Sequence, residues 1–410
     1  MMSSVSLKER IHTLDIIRGF ALFGILIANM IAFKTPVFTN ISDLVEGSSL
    51  PEGGMNAALT LLTAIFVDGK FYPMFSMLFG LGFYIFYSRL MKRGLPAKKM
   101  FMRRLVFLLL IGLVHLIFIW TGDILHTYAI TGFLLPLFIE RSVKVIRIWA
   151  ISLLVFSTFF ITALMLLNSV GINFMISEGM DTLQNLNASA VSANSVMANG
   201  SFGEILAFRF INEVVPVLLQ VLLYLPTILP LFLIGLYLGK TGMFTDIEPH
   251  IKRWKKVMWV GLAVGAPIVG LSVAIGYNVF GWEPYLTTPI AEGLNTFGGP
   301  FLMLFYVASI VLITRKSSIE KMLMPFASVG RMALTNYLMQ SIIAVIIFNG
   351  YGFGLFGQVS KTQGVLIAIA IYTVQVVLSH VLLKRYKQGP MEYVWKKWTY
   401  SGGEKHSKAA

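Results

Sequence analysis

No cysteine occurs in the 410 residues, which excludes disulfides, thiolate metal sites and a cysteine nucleophile. Acidic side chains are scarce, 19 against 33 Lys and Arg, and charged residues of all kinds make up only 13% of a chain that is 56% hydrophobic. That balance excludes a soluble domain and describes an integral membrane protein. No Walker loop, zinc motif or G-x-S-x-G elbow is present, so ATP-driven transport and hydrolase-elbow chemistry have no support. No A-x-A-like site follows M-M-S-S-V-S-L-K-E-R, and the N-terminus reads as the approach to an uncleaved first helix. No solenoid-type repeat is visible.

What is present begins with Arg10 to Phe33, a stretch apolar enough to span a bilayer that nevertheless carries Asp15, Arg18 and Asn29. At 100° per residue these three share one helix face, with Arg18 and Asn29 about 16 Å apart along the axis. Polar groups are costly in lipid, so the face is expected to look into the protein or a water-filled cavity.

The hydropathy pattern predicts an all-α polytopic bundle of about ten spans, near residues 14–33, 71–88, 105–120, 124–139, 148–167, 216–238, 257–276, 293–313, 326–348 and 363–383. An interfacial or re-entrant helix is expected at 56–67, and kinks or local unwinding around Pro216, Pro226 and Pro230. Residues 168–204 form a hydrophilic segment without Lys or Arg, and the tail from 384 is basic, with an amphipathic helix at Gly389–Trp398 expected to lie on the headgroups. With this map 27 of the 33 Lys and Arg fall on the N-terminal side and four, Lys34, Lys70, Arg209 and Lys361, on the other. The bias places both termini in the cytoplasm and 168–204 outside. The net charge of +14 is therefore topological, and no nucleic-acid partner is implied.

Chemistry-bearing residues concentrate in two places. His115, Asp123 and His126 lie within twelve residues of otherwise apolar sequence around a Thr121–Gly122 break. Imidazole suits proton transfer near neutral pH, and Asp123 to His126 is an i,i+3 spacing able to make a carboxylate–imidazole pair. A packing histidine and a helix-capping aspartate are the structural alternatives. His115 precedes Asp123 by about 12 Å of unbroken helix, too far for direct pairing; a fold-back at the break would instead bring Asp123 and His126 toward the same cavity as His115, a cavity expected to admit Asn29 as well. The second place is G-R-M-A-L-T-N-Y-L-M-Q-S, where Asn336 and Gln340 share a face; interhelical hydrogen bonding is the ordinary use of such residues.

The motifs L-D-I-I-R-G-F-A-L-F-G-I-L-I-A-N, H-L-I-F-I-W-T-G-D-I-L-x-x-Y-A, G-R-M-A-L-T-N-Y-L-M-Q-S and the late G-P-M-E-Y-V-W together resemble the bacterial YeiB-like membrane proteins (DUF418) from end to end of the chain. That family resembles in turn the transmembrane acyltransferases, including the heparan glucosaminide acetyltransferases, whose first span carries a similar L-D-x-x-R-G and outer Asn. The resemblance implies a multi-pass protein of the bacterial cell membrane that moves an acyl group from cytosolic acyl-CoA to an acceptor in or beyond the bilayer. Those acetyltransferases place a catalytic His shortly after the Asn, whereas Met30 to Lys70 here contains none, so the base would be His115 or His126, oriented by Asp123. Arg18, held by Asp15, would meet the donor's phosphates, and Asn29 and Asn336 the oxyanion, with Gln340 beside them; no metal is expected. A transporter of a small solute or lipid and a non-catalytic scaffold or sensor are the competing readings, and homo-oligomerisation is left open.

Overall fold

A computed structural model describes residues 11–50 and 53–401, and every regular element in it is helical. The N-terminal approach at 1–10 and the end of the tail from 402 lie outside the described residues. The α-helices are α1 (His12–Lys34), α2 (Ser42–Val45), α3 (Gly54–Phe66), α4 (Phe71–Lys92), α5 (Ala97–Val114), α6 (Leu125–Gly132), α7 (Val143–Ser177), α8 (Leu183–Leu186) and α9 (Ala188–Asn199). They continue with α10 (Phe202–Arg209), α11 (Val215–Lys240), α12 (Ile251–Gly276), α13 (Pro284–Ile313), α14 (Ser317–Arg331), α15 (Ala333–Phe348), α16 (Lys361–Arg385) and α17 (Pro390–Tyr400).

Among the described residues eight helical stretches are long and apolar enough to cross a membrane, nine if the bent pair α14–α15 is counted as one span. The chain is thus a multi-pass helical membrane protein. The fourth expected span, 124–139, is instead a short apolar stretch, α6 followed by a 3-10 turn at Leu135–Leu137. The ninth, 326–348, is not one rod: α14 and α15 meet at 75°. Met332, at φ −114° and ψ 36°, leaves helical geometry there. Pro226 and Pro230 lie inside an unbroken α11, so no unwinding occurs at them. The hydrophilic segment 168–204 is mostly helical, through the end of α7 and through α8 and α9. Three of the four cations assigned to the outer side are buried rather than in open loops. Lys34 donates to the Val359 carbonyl at 2.6 Å, Lys70 to Asn295 Oδ1 at 2.9 Å, and Arg209 is sequestered as described below.

The polar-faced first span lies inside the bundle: α1 packs against α14, α16, α4 and α15. One of its neighbours, α14, comes close enough to require glycine on both helices. A Cβ on Gly19 would collide with the Phe326 carbonyl of α14, and one on Gly330 with the Asp15 carbonyl of α1. The same reciprocal arrangement joins α4 to α11, through Gly80 against the Phe232 carbonyl and Gly235 against the Met77 carbonyl. With lipid as apolar as leucine, such backbone approach supplies the van der Waals contact that association between spans depends on.

Candidate functional site

α5 ends in one wide π-helical turn, His115–Ile119, closed by Trp120 N–H on the His115 carbonyl at 2.8 Å. The chain then reverses through Thr121–Gly122 and enters α6, which lies back against α5. This reversal brings together the groups that an unbroken helix keeps apart. Asp123 Oδ1 accepts from His115 Nδ1 at 2.8 Å. Its Oδ2 accepts from both the backbone N–H and Nδ1 of His126, each at 2.8 Å. Asp123 is therefore a helix-start acceptor and the bridge between two imidazoles at once. All three residues are buried, His115 completely.

A carboxylate offers only acceptors, so each imidazole places its proton on Nδ1 and leaves Nε2 basic. His126 Nε2 is 3.2 Å from the Thr127 hydroxyl, whereas His115 Nε2 is buried with no partner among the described residues. The two sequence candidates are thus unequal: only His115 presents an unused lone pair.

The approach of α6 to α5 depends on Gly112, where a Cβ would strike the backbone nitrogen of His126. Gly112→Ala is expected to push α6 off α5, lowering the melting temperature and separating His126 from Asp123. Thermal unfolding of the purified variant measures the first, and loss of at least one imidazole–carboxylate signal in NMR measures the second.

Tyr337, whose ring packs near His115, lines a cavity of about 260 Å³. One end is polar, with Arg18, Arg104, Arg331 and Glu392; the other is closed by Ile124, Leu125, Tyr128 and Tyr337. Along α5, Arg104 and His115 are about 16 Å apart. Tyr337 separates the cavity from the imidazole: its ring is 5.4 Å from that of His115, and its hydroxyl accepts from Ile124 N–H at 3.3 Å. Trp120 stands edge-on to His115 at 6.4 Å and is packed on Phe33 at 4.0 Å. Beyond Trp120 is a small hollow bounded also by Arg209 and Glu213.

Arg209 closes this hollow. Its guanidinium donates to the Ile119 carbonyl at 2.8 Å, the Leu116 carbonyl at 3.1 Å and the Thr121 hydroxyl at 2.9 and 3.0 Å. Thr121 in turn donates to Glu213 at 2.6 Å, and Glu213 lies 3.5 Å from Arg209. The carbonyls left unpaired by the end of a helix are thereby satisfied from another element.

The first-span pair behaves as its spacing implies: Arg18 donates to Asp15 at 2.9 Å, Asp15 is buried, and Arg18 borders the cavity mouth. Asn336 and Gln340 are placed elsewhere. Asn336 donates to the Val329 carbonyl and Ser379, and Gln340 to Gln375, tying α15 to α16 away from the cavity lining. Asn29 is half-buried, has no side-chain hydrogen bond among the described residues, and borders neither hollow. The tail helix α17 does more than rest on headgroups. Trp395 lies over the Arg104 guanidinium at 3.7 Å and donates to its carbonyl at 2.9 Å, while Glu392 accepts from the N–H groups of Leu334 and Thr335 at the start of α15. Sequence reasoning missed Tyr337, Trp120, Arg104 and Glu392. It counted Arg209 among the cations of the outer side and gave Glu213 no role.

Residues 238–402 match the family described as "Protein of unknown function (DUF418)". Over nearly its full length the chain is similar to "Uncharacterized protein YxaH" of Bacillus subtilis (strain 168), at 35% identity across 96% of this chain and 95% of that one. It is 29% identical to "Uncharacterized 39.9 kDa protein in amylase 3'region" of Bacillus acidopullulyticus, across 98% of this chain and 96% of that one. It is 26% identical to "Uncharacterized protein YeiB" of Escherichia coli (strain K12), across 95% and 96% respectively.

Proposed function

The chain belongs to the DUF418 family of YxaH and YeiB, and for this member we propose a membrane-embedded acyltransferase of the bacterial cell membrane that uses cytosolic acyl-CoA. The supporting observation is that the His115 ring is flanked by Tyr337, which lines a cavity with an arginine mouth, and by Trp120, which lines a small hollow bounded by Arg209 and Glu213. The phosphates of the donor meet Arg18, Arg104 and Arg331, which offer charge-assisted, bidentate contacts. The acyl arm follows the apolar wall inward and brings the thioester carbonyl to Tyr337, whose hydroxyl donates to the carbonyl oxygen as negative charge develops there.

The acceptor, an alcohol or amine, comes from the Trp120 side. His115 Nε2 takes its proton while the acceptor's lone pair attacks the thioester carbon. Collapse of the tetrahedral intermediate forms the new acyl bond and breaks the carbon–sulfur bond; the proton passes from the imidazolium to the departing thiolate. Asp123 holds the His115 tautomer and stabilises the transient imidazolium, and His126 shares that carboxylate.

Titration calorimetry of the purified protein with acyl-CoA tests the reading first. Binding is expected, and Arg104→Gln is expected to weaken it about tenfold, the worth of one charge-assisted hydrogen bond, with the melting temperature measured alongside. A folded wild-type protein that does not bind acyl-CoA would overturn the assignment.

A further inference from the structure

A second, larger feature lies outside the transfer site. Where α4 ends and α5 begins, a groove of about 860 Å³ opens on the surface of the bundle. Its wall is apolar and exposed: Met91 is 61% exposed, Val106 40% and Trp398 42%. Its rim is cationic, carrying Lys98, Lys99 and Arg103. From Arg89 to Arg104 there are seven Lys or Arg and no Asp or Glu, so nothing in that segment neutralises the rim.

Two details point to an anionic head rather than to general solvation of a basic loop. Arg103 is held by its terminal nitrogen, which donates to the Trp398 carbonyl and Ser401, each at 2.8 Å, while its Nε is buried without a partner among the described residues. The N-terminus of α5, eighteen residues long and starting at the groove lining, has no side-chain cap, so its first N–H groups have no side-chain acceptor. The densest basic loop of the chain sits at the cytoplasmic surface by its charge bias. The groove therefore spans the level where the headgroups of the inner leaflet give way to acyl chains.

We propose that this groove is a binding site for an anionic phospholipid of the inner leaflet. Its phosphate sits among Lys98, Lys99 and the Arg103 guanidinium, and an acyl chain lies along Met91, Val106 and Trp398. A basic recess between helices on the cytoplasmic side is suited to such headgroups. A zwitterionic lipid carries the same chains and satisfies only the wall.

The test uses the full-length protein in neutral detergent, titrated with phosphatidylglycerol or phosphatidylcholine of identical chains and read by native mass spectrometry and thermal unfolding. Phosphatidylglycerol is expected to stay bound and raise the melting temperature, and phosphatidylcholine to do neither. Lys98→Gln/Lys99→Gln is expected to weaken phosphatidylglycerol binding about 30-fold, given the worth of a basic side chain near an anionic surface. Val106→Trp, which fills the wall and leaves the charge alone, is expected to weaken it as well, so one variant's failure to fold leaves the other to decide. Equal retention of the two lipids would overturn the site, as would unchanged binding in the folded double variant. So would full competition by soluble glycerol phosphate, or a protein dimer that buries the groove and excludes lipid.

Discussion

His115→Ala is expected to lower acyl transfer by about 10²- to 10⁴-fold, the usual contribution of a positioned acid–base group, while the protein remains inserted and folded. The expectation rests on the asymmetry between the two imidazoles: Asp123 serves both, but only His115 has an Nε2 without a partner. Asp123→Asn is expected to be nearly as severe, because an amide can donate to Nδ1 and so stabilise the wrong tautomer. A packing histidine makes the opposite forecast, lost stability with activity intact in whatever survives purification. Melting temperature and acyl-CoA-dependent transfer measured on one preparation separate the two. A His115→Ala protein that is less stable yet fully active would end the catalytic assignment.

Arg209→Ala is expected to cost about 3–5 kcal/mol of stability, the typical price of breaking a buried ion pair from one side. The loss has three parts: Glu213 keeps its buried charge without the cation, the Ile119 and Leu116 carbonyls lose their donor, and the π turn that aims His115 loses its brace. Glu213→Gln is expected to be milder, since an amide oxygen still accepts from Thr121. Comparing the thermal unfolding of the two variants checks the order. Equal losses would mean that the carboxylate, not the bracing of the turn, carries the effect.

The positions of the long helices were legible because lipid imposes a simple rule on apolar runs. Asp15 and Arg18 were legible for a related reason, since three residues of helix put them on one face and lipid excludes the alternatives. The pairing of His115 with Asp123 was half legible. Helical geometry forbids it over eight residues, and the Thr121–Gly122 break permits it; the π turn that completes it has no composition of its own. Tyr337 was invisible because a tyrosine near the start of an apolar helix is unremarkable until His115 arrives from another span. Arg209 illustrates the opposite error. It was counted with the cations of the outer side, but the Leu116 and Ile119 carbonyls that bury it lie about ninety residues away in the chain. Asn336 and Gln340 were noticed for their polarity, and their partners Ser379 and Gln375 on α16 account for it.

The reciprocal glycine contacts also carry a mechanical meaning. Each couples two helices backbone to backbone, with no long side chain between them to change rotamer and let one slide past the other. α1 with α14, and α4 with α11, are therefore stiff beams. Arg18 and Arg331 ride on the first of these, so the two cations keep a fixed spacing. Tyr337 does not ride on it: it sits on α15, past the 75° elbow at Met332. The compliance of this end of the cavity is concentrated in that elbow, which Glu392 clamps from the tail helix. A force applied to α17 is transmitted through one carboxylate to the phenol that packs beside His115.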